Sequence, residues 1–591
     1  MQAPRHPKDS EDQARLIVAV VLSLLVLFGF HHFYEKPRAE QLQKQQQIEM
    51  AQKKAAVAVS GAESGDIVRT RAEVVADTQR IPVTGKKISG SVSLKGARID
   101  DLLLSDQFTA VGSKENVALL SPSGTLGAYY VENGWLFEGK DIAVPAADTV
   151  WSMAPGSPAE IVSGGPAVTL QWDNGQGVVF EQDIALDDNY LFTVTQRVKN
   201  NTANDVKFNT YHLAARSSLP VDFEGFFVLH EGPVGYLGGK LHEPDYKELD
   251  EGEKIELSGT EGWLGITDKY WLVGLLPEPG QKINARVIGS SANGKPHYQT
   301  DIVSAVYTTA PGQSAEGKIH VYAGVKNLHL IQAYEKQYGF KSLDLSIDFG
   351  IWYFITKPFF FLFHFLSGFF GNIGLAILGM TVLVRAAVYP LADKSFRSMA
   401  KMKSVTPQLK ELQEKYGKDK EKLQAEIYSL YAREKVNPFS GCWPIFVQIP
   451  IFFALYKVIL ISVELRHAPF WGWIDDLSAP DPTSMFNLFG LIPWAPPSFL
   501  MIGAWPLLFC LTMILQKRIS PPLPDKTQEQ LQGMFPYVIT FMLAHFASGL
   551  VIYWTWSNVL GILQQYYILK TVGGEDTSLI RGHRARRKKK D

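Results

Sequence analysis

At 591 residues the chain is long enough for several domains. Its mean hydropathy of −0.02 and 20% charged residues resemble a soluble protein only because the average mixes two unlike halves. The net charge of −1 hides a basic C-terminal run, Arg581–Lys590, and two cysteines, Cys442 and Cys510, are too few and too far apart for a disulfide framework or a cysteine-based metal site.

Residues 1–36 read as an N-terminal transmembrane anchor. Arg5, Lys8 and Arg15 precede the apolar run Leu16–Phe30, which continues to Tyr34. A cleaved signal peptide is the competing reading, but the flank HHFYEKPRAE offers no small-residue cleavage site, so the anchor is expected to stay, with its N-terminus inside. Residues 37–65 are rich in Gln, Lys, Ala and Glu without an apolar face, which predicts a flexible linker.

Over residues 66–345 short β-type runs alternate with turn signals, and one large all-β sandwich domain is expected. Asn133-Gly134 and Asn174-Gly175 each sit between strand-like runs and predict hairpins, because type I′ turns need positive φ at both central residues. His212, His230 and His242 show no metal-ligand spacing. Residues 346–371 predict an aromatic-rich interfacial amphipathic helix lying in the outer membrane interface, with Pro358 in its first turn; a membrane span is the competing reading, but the next segment is the better one.

Residues 372–391 are apolar nearly throughout and long enough to cross a bilayer, which takes about 20 residues for about 30 Å. One charge lies deep in the run, Arg385. An arginine there costs on the order of 3 kcal/mol on insertion scales and about 10 or more in simulations. The other candidate spans, 443–463, 499–516 and 535–568, contain no Asp or Glu to pair with it. Two readings stay open: Arg385 snorkels toward water past Pro390, or it is solvated in a cavity open to the cytoplasm.

Residues 392–441 are strongly charged, with a helical pattern divided by Gly417, and predict an αα-hairpin. Its Lys/Arg excess places it in the cytoplasm by the positive-inside rule, and the β domain therefore outside. Spans at about 443–463, 499–516, 535–546 and 549–569 follow, then the basic tail 571–591 in the cytoplasm; with the anchor, six transmembrane helices result. The stretch 535–546 looks short for a full bilayer and implies local thinning.

Ser398-Met399-Ala400-Lys401 matches the S-x-x-K of serine acylases, yet nothing near it suggests a pocket or oxyanion donors. No P-loop, H-E-x-x-H or dinucleotide fingerprint occurs, so no enzyme activity and no cofactor are expected. The informative residues are polar ones inside the spans. Thr381 and Arg385 lie one turn apart on one face, Gln448 sits on the next span, and Asn558 on the last. Together they fit a water-filled groove.

Four segments resemble the bacterial YidC-type membrane protein insertases of the YidC/Oxa/Alb superfamily: GMTVLVRAAVYPL (379–391), KVNPFSGCWPIFVQIPIFFALYKV (435–458), VELRHAPF (463–470) and FASGLVIYWTWSN (546–558). The anchor and large external domain look like the Gram-negative form. The resemblance implies a five-helix insertase core over residues 372–570, with a groove open to cytoplasm and lipid, and a periplasmic β-super-sandwich similar to sugar mutarotase folds. It implies an inner-membrane protein with both termini cytoplasmic, acting on nascent membrane proteins alone or beside the Sec translocon. Its hairpin and basic tail would meet the ribosome and signal-recognition machinery. In that groove Arg385 matches the central cation, Thr381 and Gln448 match lining positions, and Tyr553 and Trp554 match the substrate-contacting pair, where a second tyrosine is common. An insertion around Asn487–Gly503 departs from the family pattern. The rival reading is an ion or solute transporter, which would usually need an intramembrane acid or paired repeats. A third is an anchored carbohydrate-binding domain, which six spans disfavour.

Overall fold

The computed structural model describes residues 69–572 except 138–141, 221–222, 224, 226–228, 293–294, 417–418, 435–442, 495, 498–499 and 521–525. The expected anchor, linker and basic tail, as well as Gly417 and Cys442, lie outside the described residues. The chain divides into two compact units, one ending at Lys357 and including Leu460–His467, the other made of Pro358–Ile459 with the chain from Ala468 onward.

In the first unit, two largely antiparallel sheets of eleven and nine strands are found among the described residues. The sequence dictates this through period-two burial. In strand Leu191–Asn200 inward residues alternate with half-exposed ones, and the strand is hydrogen-bonded on both sides, to Val178–Leu186 and to Ser314–Val325. The sheets face each other: Trp135 of the larger packs edge-on against Phe180 of the smaller, with ring centroids 5.3 Å apart, and Gln196 Nε2 donates to the Gly134 carbonyl at 2.9 Å. Each aromatic buried in this layer contributes about 1.5–3 kcal/mol. Among the described residues three α-helices accompany the sheets: α1 (Arg71–Asp77), α2 (Tyr246–Asp250) and α3 (Leu328–Tyr338). The sandwich expected for this region is present.

The two Asn-Gly signals part ways. Asn174-Gly175 does close a hairpin between Val168–Asp173 and Val178–Leu186, but over a four-residue loop in which Asn174 Oδ1 accepts from the amides of Gln176 and Val178. At Asn133-Gly134 there is no turn, and strand Tyr129–Phe137 runs straight through, paired with Val206–Arg216. Cross-strand chemistry overrides the local signal. Buried Asn133 meets its register partner His212 at 2.8 Å, and burial pushes the His212 pKa down to about 3, which keeps the ring neutral. Gly134 leaves room for the ring of its own partner, Tyr211: a Cβ on Gly134 would stand 2.4 Å from Tyr211 Cε1. The Tyr211 hydroxyl donates to Glu132, itself held by Arg98, so the ring has little freedom to move aside.

The second unit is helical, with α4 entering it at Pro358 and α8 leaving it after Ile459: α4 (Tyr353–Phe370), α5 (Ile373–Ala387), α6 (Tyr389–Tyr416), α7 (Lys420–Arg433), α8 (Trp443–Ile461), α9 (Ala504–Ile519), α10 (Lys526–Leu543) and α11 (Ser548–Val572). Several bounds differ from those read in the sequence. α4 begins five residues before Pro358, so that proline lies inside the helix and supplies no N–H to the Phe354 carbonyl. The apolar run 372–391 is two helices, bent by 60° after Ala387. Pro390 disfavours a helical residue before it and is well placed in the first turn of α6, so the break falls there. α10 starts at Lys526, longer than the stretch 535–546, though its first two turns are polar.

α6 and α7 form an antiparallel pair. Val405, Leu409 and Leu430 are buried between them, and Arg433 Nη2 donates to Gln408 Oε1 at 3.2 Å. By length and composition alone, α4 is the one described helix apolar enough to cross a membrane unaided, and the bent pair of α5 with the start of α6 adds a second. These criteria therefore do not yield six crossings among the described residues.

The Gly134 contact makes a test. Gly134→Ala is expected to destabilise the β unit by about 1–3 kcal/mol through overpacking. Adding Tyr211→Ala to that variant is expected to cost less than the sum of the two single changes, because the clash disappears with the ring. Thermal unfolding of the four proteins of this cycle measures both effects.

Candidate functional site

α5 is capped by Asn372, whose side chain accepts from the Leu375 amide at 2.9 Å, and ends in a turn that carries Arg385. Apart from Thr381 the helix is otherwise apolar, so the guanidinium needs partners from outside it. α11 supplies them: Ser557 Oγ accepts from Arg385 Nη2 at 2.7 Å and from Nε at 3.2 Å. Among the described residues no carboxylate pairs with Arg385.

Residues four apart share a helix face, so Tyr553, Ser557 and Gly561 line up on one side of α11. Tyr553 is buried, faces the Arg385 charge, and its hydroxyl reaches Ser557 and also Gln448 on α8. Gly561 lies under the guanidinium: a Cβ there would be 3.6 Å from both Nη atoms, in ordinary contact. The same face continues to Gln565, only 2% exposed, whose side-chain oxygen has no hydrogen-bond partner among the described residues. Thr381, one turn before Arg385, is buried, and its hydroxyl donates back to the Ile377 carbonyl at 2.7 Å.

Two residues expected in this group are elsewhere. Trp554 follows Tyr553 by one position and so points about a quarter-turn away. Its ring stacks on Phe452 with centroids 5.1 Å apart and 10° between planes, and lies 6.2 Å from Phe509 and 6.1 Å from Phe546. Asn558, four residues on, shares that second face and donates to Thr512 Oγ1 of α9 at 3.2 Å. Of the six residues expected to line a groove, Arg385, Gln448 and Tyr553 come together, with Thr381 a turn away. Trp554 and Asn558 join the helix packing instead. Ser557 and Gly561 were missed as site residues, although their spacing from Tyr553 was a usable signal.

Among the described residues the cluster holds a cation, hydroxyls and amides, with no carboxylate and no thiol beside them. Among the described residues no group of three or more His, Cys, Asp or Glu is arranged to hold a metal ion.

Residues 365–575 match the family described as 60Kd inner membrane protein, and residues 80–362 match the YidC periplasmic domain. The protein named membrane protein insertase YidC from Rickettsia rickettsii (strain Iowa) is 42% identical over 562 residues, covering 94% of this chain and 98% of that one. Its namesake from Rickettsia prowazekii (strain Madrid E) is 41% identical over 562 residues, with the same shares covered. A crystal structure of an active YidC insertase with the first transmembrane domain resolved aligns over 83% of this chain and 92% of that chain, at 18% identity and a TM-score of 0.34.

Contact between Gly561 and Arg385 separates two substitutions. Gly561→Ala is expected to leave stability nearly unchanged, since its Cβ meets the guanidinium at an ordinary distance. Gly561→Leu is expected to cost about 1–3 kcal/mol by forcing Arg385 off Ser557. The unfolding midpoints of the detergent-solubilised variants check both.

Proposed function

The chain belongs to the YidC family of membrane protein insertases, and from that premise we propose how its own residues serve insertion. As a family member it is a membrane protein with a periplasmic β-rich domain, is not an enzyme, and acts on nascent membrane proteins. The transporter reading loses to this one.

In the proposed mechanism the face made by Arg385, Ser557, Tyr553 and Gln448 is the polar foothold of a groove entered from the cytoplasm, with Thr381 on its wall. A nascent segment brings an apolar stretch and a polar or acidic flank. Leaving that flank in hydrocarbon is costly, and the guanidinium with its neutral neighbours lowers the cost while the apolar stretch moves sideways into lipid. Burial of that stretch, at about 25 cal/mol per Å², supplies the driving force without nucleotide hydrolysis. The observation that carries this reading is that Arg385 is held by a hydroxyl rather than neutralised by a carboxylate among the described residues. Its charge is therefore available to a passing anion.

The finer topology belongs to the same proposal: six crossings, both termini in the cytoplasm, and α4 along the outer interface. The basic α6–α7 hairpin and the C-terminal tail are proposed contacts for the ribosome and signal-recognition machinery, with the Sec translocon as a lateral partner for part of the substrate set. Support for the hairpin's side of the membrane comes from its Lys/Arg excess.

Photo-crosslinking to a ribosome-stalled nascent membrane protein tests the path. Probes at Gln448 and Tyr553 are expected to crosslink, and one at Phe509, which packs on Trp554 away from Arg385, is not; crosslinks from Phe509 alone would sink the proposed route. A second test reads the charge. Arg385→Glu is expected to slow insertion of substrates with acidic translocated tails several-fold more than neutral ones, and equal effects on both would contradict the role given to Arg385.

A further inference from the structure

From Met485 to Gly503 the chain carries no Asp, Glu, Lys, Arg or His. Its described residues nevertheless form no α-helix, only a short kinked turn over Met485–Gly490. Pro493, Pro496 and Pro497 interrupt the stretch, and Leu488 and Phe489 both take left-handed backbone conformations, with φ of 49° and 57°, which side chains of this size rarely adopt. The result is a knob that shows its apolar side chains outward. Leu491 is 84% exposed, and Leu488, Phe489, Ile492 and Trp494 are exposed beside it.

This knob is built rather than loose. Phe489 N donates to the Ser484 carbonyl at 2.8 Å, Ile492 N to the Asn487 carbonyl at 3.0 Å, and Gly490 N to Asn487 Oδ1 at 3.0 Å. The Asn487 side-chain amide reaches the Trp494 carbonyl at 3.3 Å, and at the neck Met485 N donates to Ile502 O at 3.0 Å. Much of the backbone polarity is thus met within the loop, which is what hydrocarbon demands of a non-helical chain. The neck is pinned to α9 through buried Asp481, whose carboxylate accepts from Trp505 N at 2.9 Å, from Trp473 Nε1 at 3.1 Å and from Thr483. A Cβ at Gly503 would stand 2.4 Å from Asp481 Cγ, so the joint is tight.

What covers the knob follows from where it is attached. It leads into the first turn of α9, and Lys517 and Arg518 lie in the last. Between them α9 exposes Leu508, Leu511 and Leu515, a stripe at helical spacing that in a membrane protein faces acyl chains. The knob extends that apolar exposure at the end away from the basic residues, near the exposed Trp471 and Trp473, residue types that favour the membrane interface. We propose that this loop inserts into the leaflet opposite the Lys517–Arg518 end, the periplasmic leaflet by the positive-inside rule, as a hydrophobic anchor with bilayer lipid as its occupant. Having no charge, it recognises acyl chains and not headgroups, so its insertion is indifferent to anionic lipid. It is independent of the substrate path proposed above and rests only on the chain being a membrane protein.

The test uses the full chain with Cys442→Ser and Cys510→Ala, a single cysteine at Leu491 carrying an environment-sensitive fluorophore, and phosphatidylethanolamine/phosphatidylglycerol vesicles. A second protein carries the fluorophore at Tyr428, exposed on the α6–α7 hairpin. The Leu491 label is expected to emit to the blue of the Tyr428 label. Nitroxide lipids are expected to quench it several-fold more than iodide trapped on both faces, equally in neutral phosphatidylcholine vesicles. Iodide quenching without lipid quenching would place the knob in water and overturn the proposal. Shielding from both quenchers would show a protein cover, a second copy or another partner, and overturn it equally. Insertion of a nascent substrate, assayed in the same vesicles, separates failure of the anchor from failure of the insertase reading.

Discussion

A guanidinium among apolar helices is the constraint on which the second unit turns, because nothing in hydrocarbon stabilises it unless the protein arranges it. Three features do so at Arg385. The bend after Ala387 makes it a last-turn residue of α5, where free carbonyls favour a cation by about 0.3–1 kcal/mol. Ser557 takes two of its donors. Tyr553 faces it with an oxygen that reaches Gln448 as well. None of these carries a full negative charge. A carboxylate at position 557 would hold Arg385 more firmly and neutralise it, whereas a hydroxyl leaves its charge uncompensated among the described residues.

The small residues of α11 follow from the same demand. Ser557 and Gly561 leave space for the guanidinium on one face, while Trp554 and Asn558 tie the neighbouring face to α8 and α9. One helix thus presents a polar, lightly packed side and a rigid aromatic side. Stiff packing behind the site keeps the hydroxyls aimed at Arg385 without occupying it. Separation of the two faces depends only on the 3.6-residue repeat, since adjacent residues 553 and 554 diverge by about 100°.

Much of this was legible in the sequence where the signal was long or periodic. The β sandwich, the charged helical pair and the lone Arg385 all follow from patterns that extend over many residues. What failed was short-range. Asn133-Gly134 has the composition of a turn, yet Tyr211 across the strand needs the glycine and His212 needs the asparagine, and partners more than seventy residues away leave no local trace. Pro390 marks the bend in the 372–391 run, but hydropathy averaged over the window conceals it. Trp554 and Tyr553 look equivalent as an aromatic pair; only the contacts on each face tell the side that meets Arg385 from the side that packs on Phe452. Ser557 is one hydroxyl among several on α11, and its weight comes from the arginine on another helix.

The uncharged stretch after Met485 shows why hydropathy alone does not assign membrane position. Its composition and length would suit a span, but its prolines and the left-handed pair Leu488–Phe489 bar a continuous helix. A chain that is apolar and non-helical has to satisfy its peptide groups some other way, or water has to do it. Here Asn487 and Ser484 close the loop with short-range hydrogen bonds, so the apolar side chains turn outward without stranding much of the backbone. That combination has no advantage in water, where exposed leucine and phenylalanine invite aggregation and open loops hydrate freely. It has one at a bilayer surface, where each buried side chain gains the full transfer energy and the hydrogen-bonded frame avoids its penalty.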